Sequence, residues 1–197
     1  SGVSHDELAR GDVLVRNGQW HETTIFDASL RVLKQLDHSV SRKGAYVLYL
    51  GSGEHSVRMR VLGSNELIPG SDGTVRFYAS TGLPLLPGDR FILRESGRSE
   101  TIGGGEVLDV DPQLTASEAE PDLSVERVIK ERGWVEATEL ERLTGKKLPS
   151  DVGKWVVEPS VLRETLERIR EEVALSGPLG LDLSQLDERD RAAAELL

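Results

Sequence analysis

The residues of this chain best placed to do chemistry lie between Pro87 and Asp109. There Pro-Gly-Asp makes a turn, and Arg90, Ile92 and Arg94 alternate with Phe91, Leu93 and Glu95. In a strand that alternation puts both arginines on one face. Ser96-Gly97-Arg98 turns the chain again, and Gly103-Gly104-Gly105 removes three consecutive side chains where a bulge or a close backbone approach becomes possible. Two meanings fit these residues. Either the glycines shape a barrel corner and the arginines keep the surface soluble, or the face is built to contact a ligand.

Elsewhere the usual catalytic patterns are missing. Thr144-Gly145-Lys146-Lys147 lacks both the first Gly and the hydroxyl of a phosphate-binding loop, and no G-x-S-x-G, H-E-x-x-H or dinucleotide fingerprint occurs. There is no Cys, which excludes disulfides, thiolate-ligated zinc and cysteine nucleophiles. The four His are scattered, and His55 has no second ligand at metal spacing, so no metal site is expected. Glu171-Glu172 falls on an exposed helix face. The chain is expected not to be an enzyme.

The elements that hold the arginine face come next. From about Asp12 to Asp111, apolar residues alternate: Phe26, Ala28, Leu30, Val32; then Val57, Met59, Val61; then Val75, Phe77, Ala79. Such alternation, punctuated by Gly and Pro, predicts about six short antiparallel strands, closed as a small barrel or stacked as a sandwich. Asp111 to Pro121 reads as a linker or loop. After it, Asp122 or Ser124 caps a helix that ends at Gly133, and Trp134-Val135 is extended. Thr138 with Glu141 forms a capping box for a second helix ending at Gly145. Trp155-Val157 is strand-like, and Pro159 opens a long amphipathic helix carrying Val161, Leu162, Leu166, Ile169 and Val173. A last helix is expected over Glu188–Leu197. Helix, strand, helix, turn, strand and helix in about 55 residues outlines a winged helix, although Pro149 and Gly153 interrupt the place of a recognition helix.

The 197 residues hold 24 Lys and Arg against 34 Asp and Glu, a net charge of −10. A uniformly acidic surface repels phosphate. The acid is unevenly spread, however. Residues 1–115 carry 12 basic and 15 acidic residues, and residues 116–197 carry 12 and 19. Between Arg42 and Arg98, eight basic residues outnumber five acidic ones. No apolar run is long enough to span a bilayer, and no leader is visible. A cytoplasmic location without membrane contact is expected.

Gly88-Asp-Arg-Phe-Ile-Leu-Arg94, Thr101-Ile-Gly-Gly-Gly105 and Val107-Leu-Asp109 resemble the last two strands of the third domain of elongation-factor-Tu-like translational GTPases. Arg10-Gly-Asp-Val-Leu14 is similar to the handover from the second barrel. Leu48-Tyr-Leu-Gly51, Glu54 and Val57-Arg-Met-Arg-Val61 resemble the family's central hairpin. Arg94-Glu95-Ser96-Gly97-Arg98 is similar to the Arg-Glu-Gly-Gly-Arg turn of elongation factor Tu, with Ser96 in place of a Gly. The triple Gly favours the bacterial selenocysteine-specific branch. The match covers about residues 8–112.

The resemblance implies a β-then-α architecture. Residues 1–13 would be the end of a preceding barrel or a tag, 14–112 a domain-III-like barrel, and 113–121 a linker. Residues 122–176 would be a winged helix and 177–197 the start of a second. It implies a fragment of a factor that delivers selenocysteinyl-tRNA to the ribosome at in-frame UGA codons. GTP and Mg would sit in a G domain not present here, and the mRNA hairpin would bind C-terminal domains not present here. The barrel would touch the acceptor and T-stem backbone of the tRNA through Arg, hydroxyl and backbone N–H donors. The implied contacts are Arg94, Ser96, Gly97 and Arg98 in the turn, then Gly51, Ser52, Gly53, Glu54 and His55 in the hairpin loop, with Thr81 beyond. Arg42 and Lys43 join on charge alone. The winged helix would be a spacer, with Trp134 and Trp155 in its core rather than stacked on bases, and the chain a monomer. Two other classes stay open. One is a DNA-binding winged-helix transcriptional regulator with a barrel sensor, and the other is a scaffold or interaction module.

Overall fold

The computed structural model describes residues 11–16, 18–177 and 181–197. The expected chain entry over residues 1–10 lies outside the described residues, as does Pro178–Gly180 of the tail. The chain divides into two compact units, one built on strands that also takes in residues 142–145, and one on the rest of the segment that begins after Leu123.

Six long strands close the first unit into an antiparallel barrel: β1 (Glu22–Val32), β3 (Tyr46–Leu50), β4 (Gly53–Val61), β6 (Asp72–Pro84), β7 (Arg90–Glu95) and β8 (Glu100–Asp109). Their order around the barrel is β1-β6-β4-β3-β7-β8, and β8 returns to β1. Two short strands, β2 (Val40–Ser41) and β5 (Glu66–Leu67), pair outside it. Closure settles the barrel-or-sandwich question, and it removes the open sheet edges that invite misassociation.

Alternation fills the interior. Phe26, Ala28 and Leu30 of β1, Val57, Met59 and Val61 of β4, and Val75 and Phe77 of β6 are buried. Phe77 stands between the other two phenylalanines, 5.3 Å from each ring centre and edge-on to Phe91. The three consecutive glycines sit where β8 is squeezed between β7 and β1. A Cβ on Gly103 or Gly105 would press into the carbonyl oxygens of Arg31 and Ser29, and one on Gly104 into that of Phe91. The glycines therefore let the last strand close the barrel.

The segment after β8 is less free than a linker. Val110 and Ala116 are buried, and Arg76 Nη1 donates to the Leu114 carbonyl at 2.9 Å. Residues 110–116 are laid along the outside of the barrel.

The second unit begins with α1 (Val125–Arg132), capped by the Ser124 hydroxyl and closed by Gly133 at φ 70°. Then follow β9 (Trp134–Glu136), α2 (Ala137–Thr144), β10 (Trp155–Val157) and α3 (Pro159–Leu175). β9 and β10 form a two-stranded antiparallel sheet. The expected capping box does not form, because α2 starts one residue earlier. The Ala137 N–H is taken by the Lys154 carbonyl at the end of the β9–β10 pairing, which leaves Thr138 inside the first turn. Glu158 caps α3 by accepting from the Ser160 and Val161 amides. No helix forms over residues 146–154. The tail helix α4 (Glu188–Ala194) shares the core of this unit. Ala193 is fully buried beside Trp134, Val152, Trp155, Val157 and Ile169, and the two Trp rings meet edge-on at 6.2 Å. Both tryptophans are core residues.

Candidate nucleic-acid interface

The candidate contact residues fall on two ends of the barrel. Strand β3 separates them. Its first residue, Tyr46, pairs with Glu95, next to the β7–β8 turn, and its last, Leu50, pairs with Phe91 and Gly53. At about 3.3 Å per residue, the two ends of β3 are roughly 13 Å apart. Arg94, Ser96, Gly97, Arg98, Arg42 and Lys43 gather at one end. Gly51, Ser52, Gly53, Glu54 and His55 lie at the other, where His55 and Thr81 line one cleft with Arg16, Trp20 and Glu22.

At the first end the turn is held from several sides. The Ser96 amide donates to the Ala45 carbonyl at 2.8 Å. Arg94 lies over the Tyr49 ring at 5.9 Å, and its Nη2 donates to the Ser99 carbonyl at 2.8 Å. Ser99 is the one non-glycine with positive φ (51°) among the described residues, so Arg94 braces a strained turn. Arg98 is about half exposed and pairs with Asp37 at 3.3 Å and Glu95 at 3.6 Å. His38 fills the space between those carboxylates, with Nδ1 2.9 Å from Asp37 Oδ1 and Nε2 2.9 Å from Glu95 Oε2. Hydrogen bonding to Asp37 raises the His38 pKa above its ordinary value, and the same contact lowers that of Asp37. The turn's own two arginines are thus committed to the protein.

Arg42 and Lys43 differ. Both are exposed in the loop between β2 and β3, and neither has an ion-pair partner among the described residues. The structure also brings forward two arginines that the charge count had recorded only as bulk. Arg58 and Arg60, two residues apart in β4, both point outward between buried Val57, Met59 and Val61. Arg58 lies 5.8 Å over the Tyr78 ring. Spacing of i and i+2 in a strand was the signal that could have placed them on one face.

At the other end Gly51, at φ 57°, occupies the first central position of the β3–β4 turn, as a two-residue hairpin turn of this hand requires. The loop presents Ser52 and Glu54 to solvent. Its cleft also includes Asp12 and Glu22, so this end is electrostatically mixed.

A phosphate-binding loop sends its Gly-Lys into the start of a helix, whereas Gly145 and Lys146 follow the end of α2 and enter a non-helical stretch. Among the described residues no group of three His, Asp or Glu is arranged to hold a metal ion. Nor, among the described residues, is any helix long and apolar enough to cross a membrane.

A protein-family model described as selenocysteine-specific elongation factor, beta-barrel domain, matches residues 27–114. That span runs from the middle of β1 past the end of β8. It takes in the closed barrel, the glycine seam, the braced turn and the stretch docked through Arg76. Residues 27–114 therefore carry the beta-barrel domain of the selenocysteine-specific elongation factor family.

Proposed function

We propose that the chain is a non-catalytic part of a translation factor that delivers selenocysteinyl-tRNA to the ribosome at in-frame UGA codons. In this role the barrel contacts the acceptor and T-stem backbone of the tRNA. The helical unit is a spacer toward an mRNA-hairpin-binding end, and GTP with Mg is handled by a separate G domain. The work would take place in the cytoplasm, with the chain as a monomer.

The observation that carries the tRNA contact is the basic end of the barrel. There Arg42 and Lys43 stand exposed, without carboxylate partners among the described residues, beside the turn that Arg94 braces, in a chain whose net charge is −10. Unpaired cations on a fixed scaffold suit a shape-directed backbone contact, which reads phosphate positions rather than bases. The spacer role is supported by the missing helix over residues 146–154, where a DNA-reading winged helix would place its recognition helix. The test is titration of the chain with selenocysteine tRNA, ordinary tRNA and the cognate mRNA hairpin across a salt series. Salt-sensitive binding to the first, weakened by R42A and K43A, is expected, with no hairpin binding. Tight hairpin binding overturns the spacer role, and salt-independent or absent tRNA binding overturns the contact.

A further inference from the structure

On the outer face of the barrel, β4 turns toward β5 through Gly63, whose φ is 70°. Beside this turn is an open pocket of about 370 Å³. Arg42, Arg60, Ser64, Asn65 and Ser117 line it over buried Val61 and Ala116. Its wall is made from three separate parts of the chain. Arg42 comes from the loop before β3, Arg60 and the turn residues from the end of β4, and Ser117 from the segment docked behind β8.

No carboxylate lines the pocket. The nearest acids along the chain are Glu66 and Glu118. Glu118 accepts from the Thr115 hydroxyl at 2.6 Å. Glu66 offers its backbone carbonyl to Ser64 Oγ at 2.9 Å. The cross-strand neighbour of Arg60 is another arginine, Arg76, and Arg76 already takes both oxygens of Asp27. Asp27 is therefore spent, and Arg60 faces a like charge with no acid of its own among the described residues. The Ser64 hydroxyl is given to the Glu66 carbonyl and that of Ser117 to Thr115, so two guanidinium groups and an amide around an acid-free pocket offer up to about twelve N–H donors in principle, counted as about five per guanidinium and two per amide. Tetrahedral oxyanions are what such donor sets hold, and arginine forks suit phosphate oxygens in particular.

We infer that this pocket is a phosphate-binding site that seats one backbone phosphate of an RNA ligand. Arg42 and Arg60 supply charge-assisted hydrogen bonds, Asn65 fixes orientation, and Ser64 and Ser117 form the wall. The inference deepens the tRNA contact proposed above and rests on it for the source of the phosphate. It also assigns the docked segment after β8 a part in the site, through Ser117.

The test uses the whole chain and two probes. In the first, backbone amide resonances are followed while inorganic phosphate is added against chloride at matched ionic strength. Saturable shifts at Gly63, Ser64, Asn65 and Ser117 are expected. R60A should weaken phosphate binding about tenfold or more, and R60K, which keeps the charge without the fork, should weaken it less. Arg60 is exposed and its neighbours Met59 and Val61 carry the core, so R60A should leave the amide spectrum of the barrel folded. R42A is a second variant with the same expected loss. Shifts that do not saturate, that chloride reproduces, or that persist in R60A and R42A overturn the pocket. In the second, the same variants are titrated with selenocysteine tRNA. Parallel loss of tRNA affinity supports the RNA source. Phosphate binding lost in R60A with tRNA affinity unchanged overturns that source. If the unaltered chain binds phosphate at the pocket but no tRNA, the tRNA proposal fails while the phosphate site is upheld.

Discussion

Asp27 and Arg76 face each other across β1 and β6 on the outside of the barrel, joined by hydrogen bonds of 2.6 and 2.8 Å, although both side chains are almost fully buried. They are buried because the stretch after β8 lies over them, and Arg76 spends a further donor on Leu114 within it. The pair therefore ties the barrel to its C-terminal extension. A buried ion pair adds little over an apolar pair of equal size, but losing one partner strands the other. D27A should destabilise the barrel by about 3 kcal/mol in denaturant unfolding and should loosen residues 110–116 in hydrogen exchange. A D27L/R76L double variant should be much closer to wild type. Equal losses in the single and double variants would show that the charge pair is not what counts.

The glycine seam predicts a sharp positional contrast. At Gly105 an added Cβ meets the Ser29 carbonyl, which belongs to the backbone of a paired strand and cannot swing away. At Gly97, in the exposed turn, it meets nothing within 4 Å. G105A should cost about 3 kcal/mol or more, in the range of severe overpacking, whereas G97A should lie within about 0.5 kcal/mol of wild type. Chemical denaturation of the two variants checks this, and similar midpoints would refute the role of the seam in closure.

Much of the barrel could be read from sequence because its signal is local. Phe26 to Val32 and Val57 to Val61 alternate cleanly and each forms one buried apolar face, and of Val75, Phe77 and Ala79 the first two are buried. Gly133 likewise marked the end of α1, while the cap was open between Asp122 and Ser124 and the fold uses Ser124. What was hidden depends on residues distant in the chain. The start of α2 is set by Lys154, seventeen residues away, not by Thr138. The sequence names a turn and a hairpin loop as candidate contacts, and only the pairing of β3 with β7 places them at opposite ends. The sequence does not show which groups Arg94 and Arg98 hold; the turn folds Ser99 and Glu95 back onto them, and the barrel brings Asp37 from far along the chain.

His38 makes the braced turn sensitive to pH. Both ring nitrogens face carboxylate oxygens, and only the doubly protonated ring donates to both. Asp37, Glu95 and Arg98 are the charged groups around it, and its pKa is raised, chiefly by the hydrogen bond to Asp37. A raised folded-state pKa means that the stabilisation is fully present below the unfolded value of about 6.5 and fades as pH rises through the folded value. The His38 ring should titrate above about 6.5 by NMR. The Ser96 amide should exchange faster, relative to the intrinsic rate, on the alkaline side. D37N should lower the His38 pKa more than E95Q does. A ring that titrates at the ordinary value would remove the switch.

The division between braced and unbraced cations gives the most direct prediction about RNA. Arg42 and Lys43 are exposed and unpaired among the described residues, so their charge is available to a phosphate without breaking anything. R42A and K43A should each weaken tRNA binding and reduce the slope of log affinity against log salt by about 1, with the unfolding midpoint unchanged. R94A should behave differently. Removing its bond to the Ser99 carbonyl frees a turn held at positive φ, so any loss of tRNA affinity should come with faster exchange around Ser96 to Ser99 and little change in salt slope. If R94A instead lowers the slope as R42A does while the turn stays ordered, Arg94 leaves Tyr49 and Ser99 to touch the RNA directly, and the turn is itself the contact.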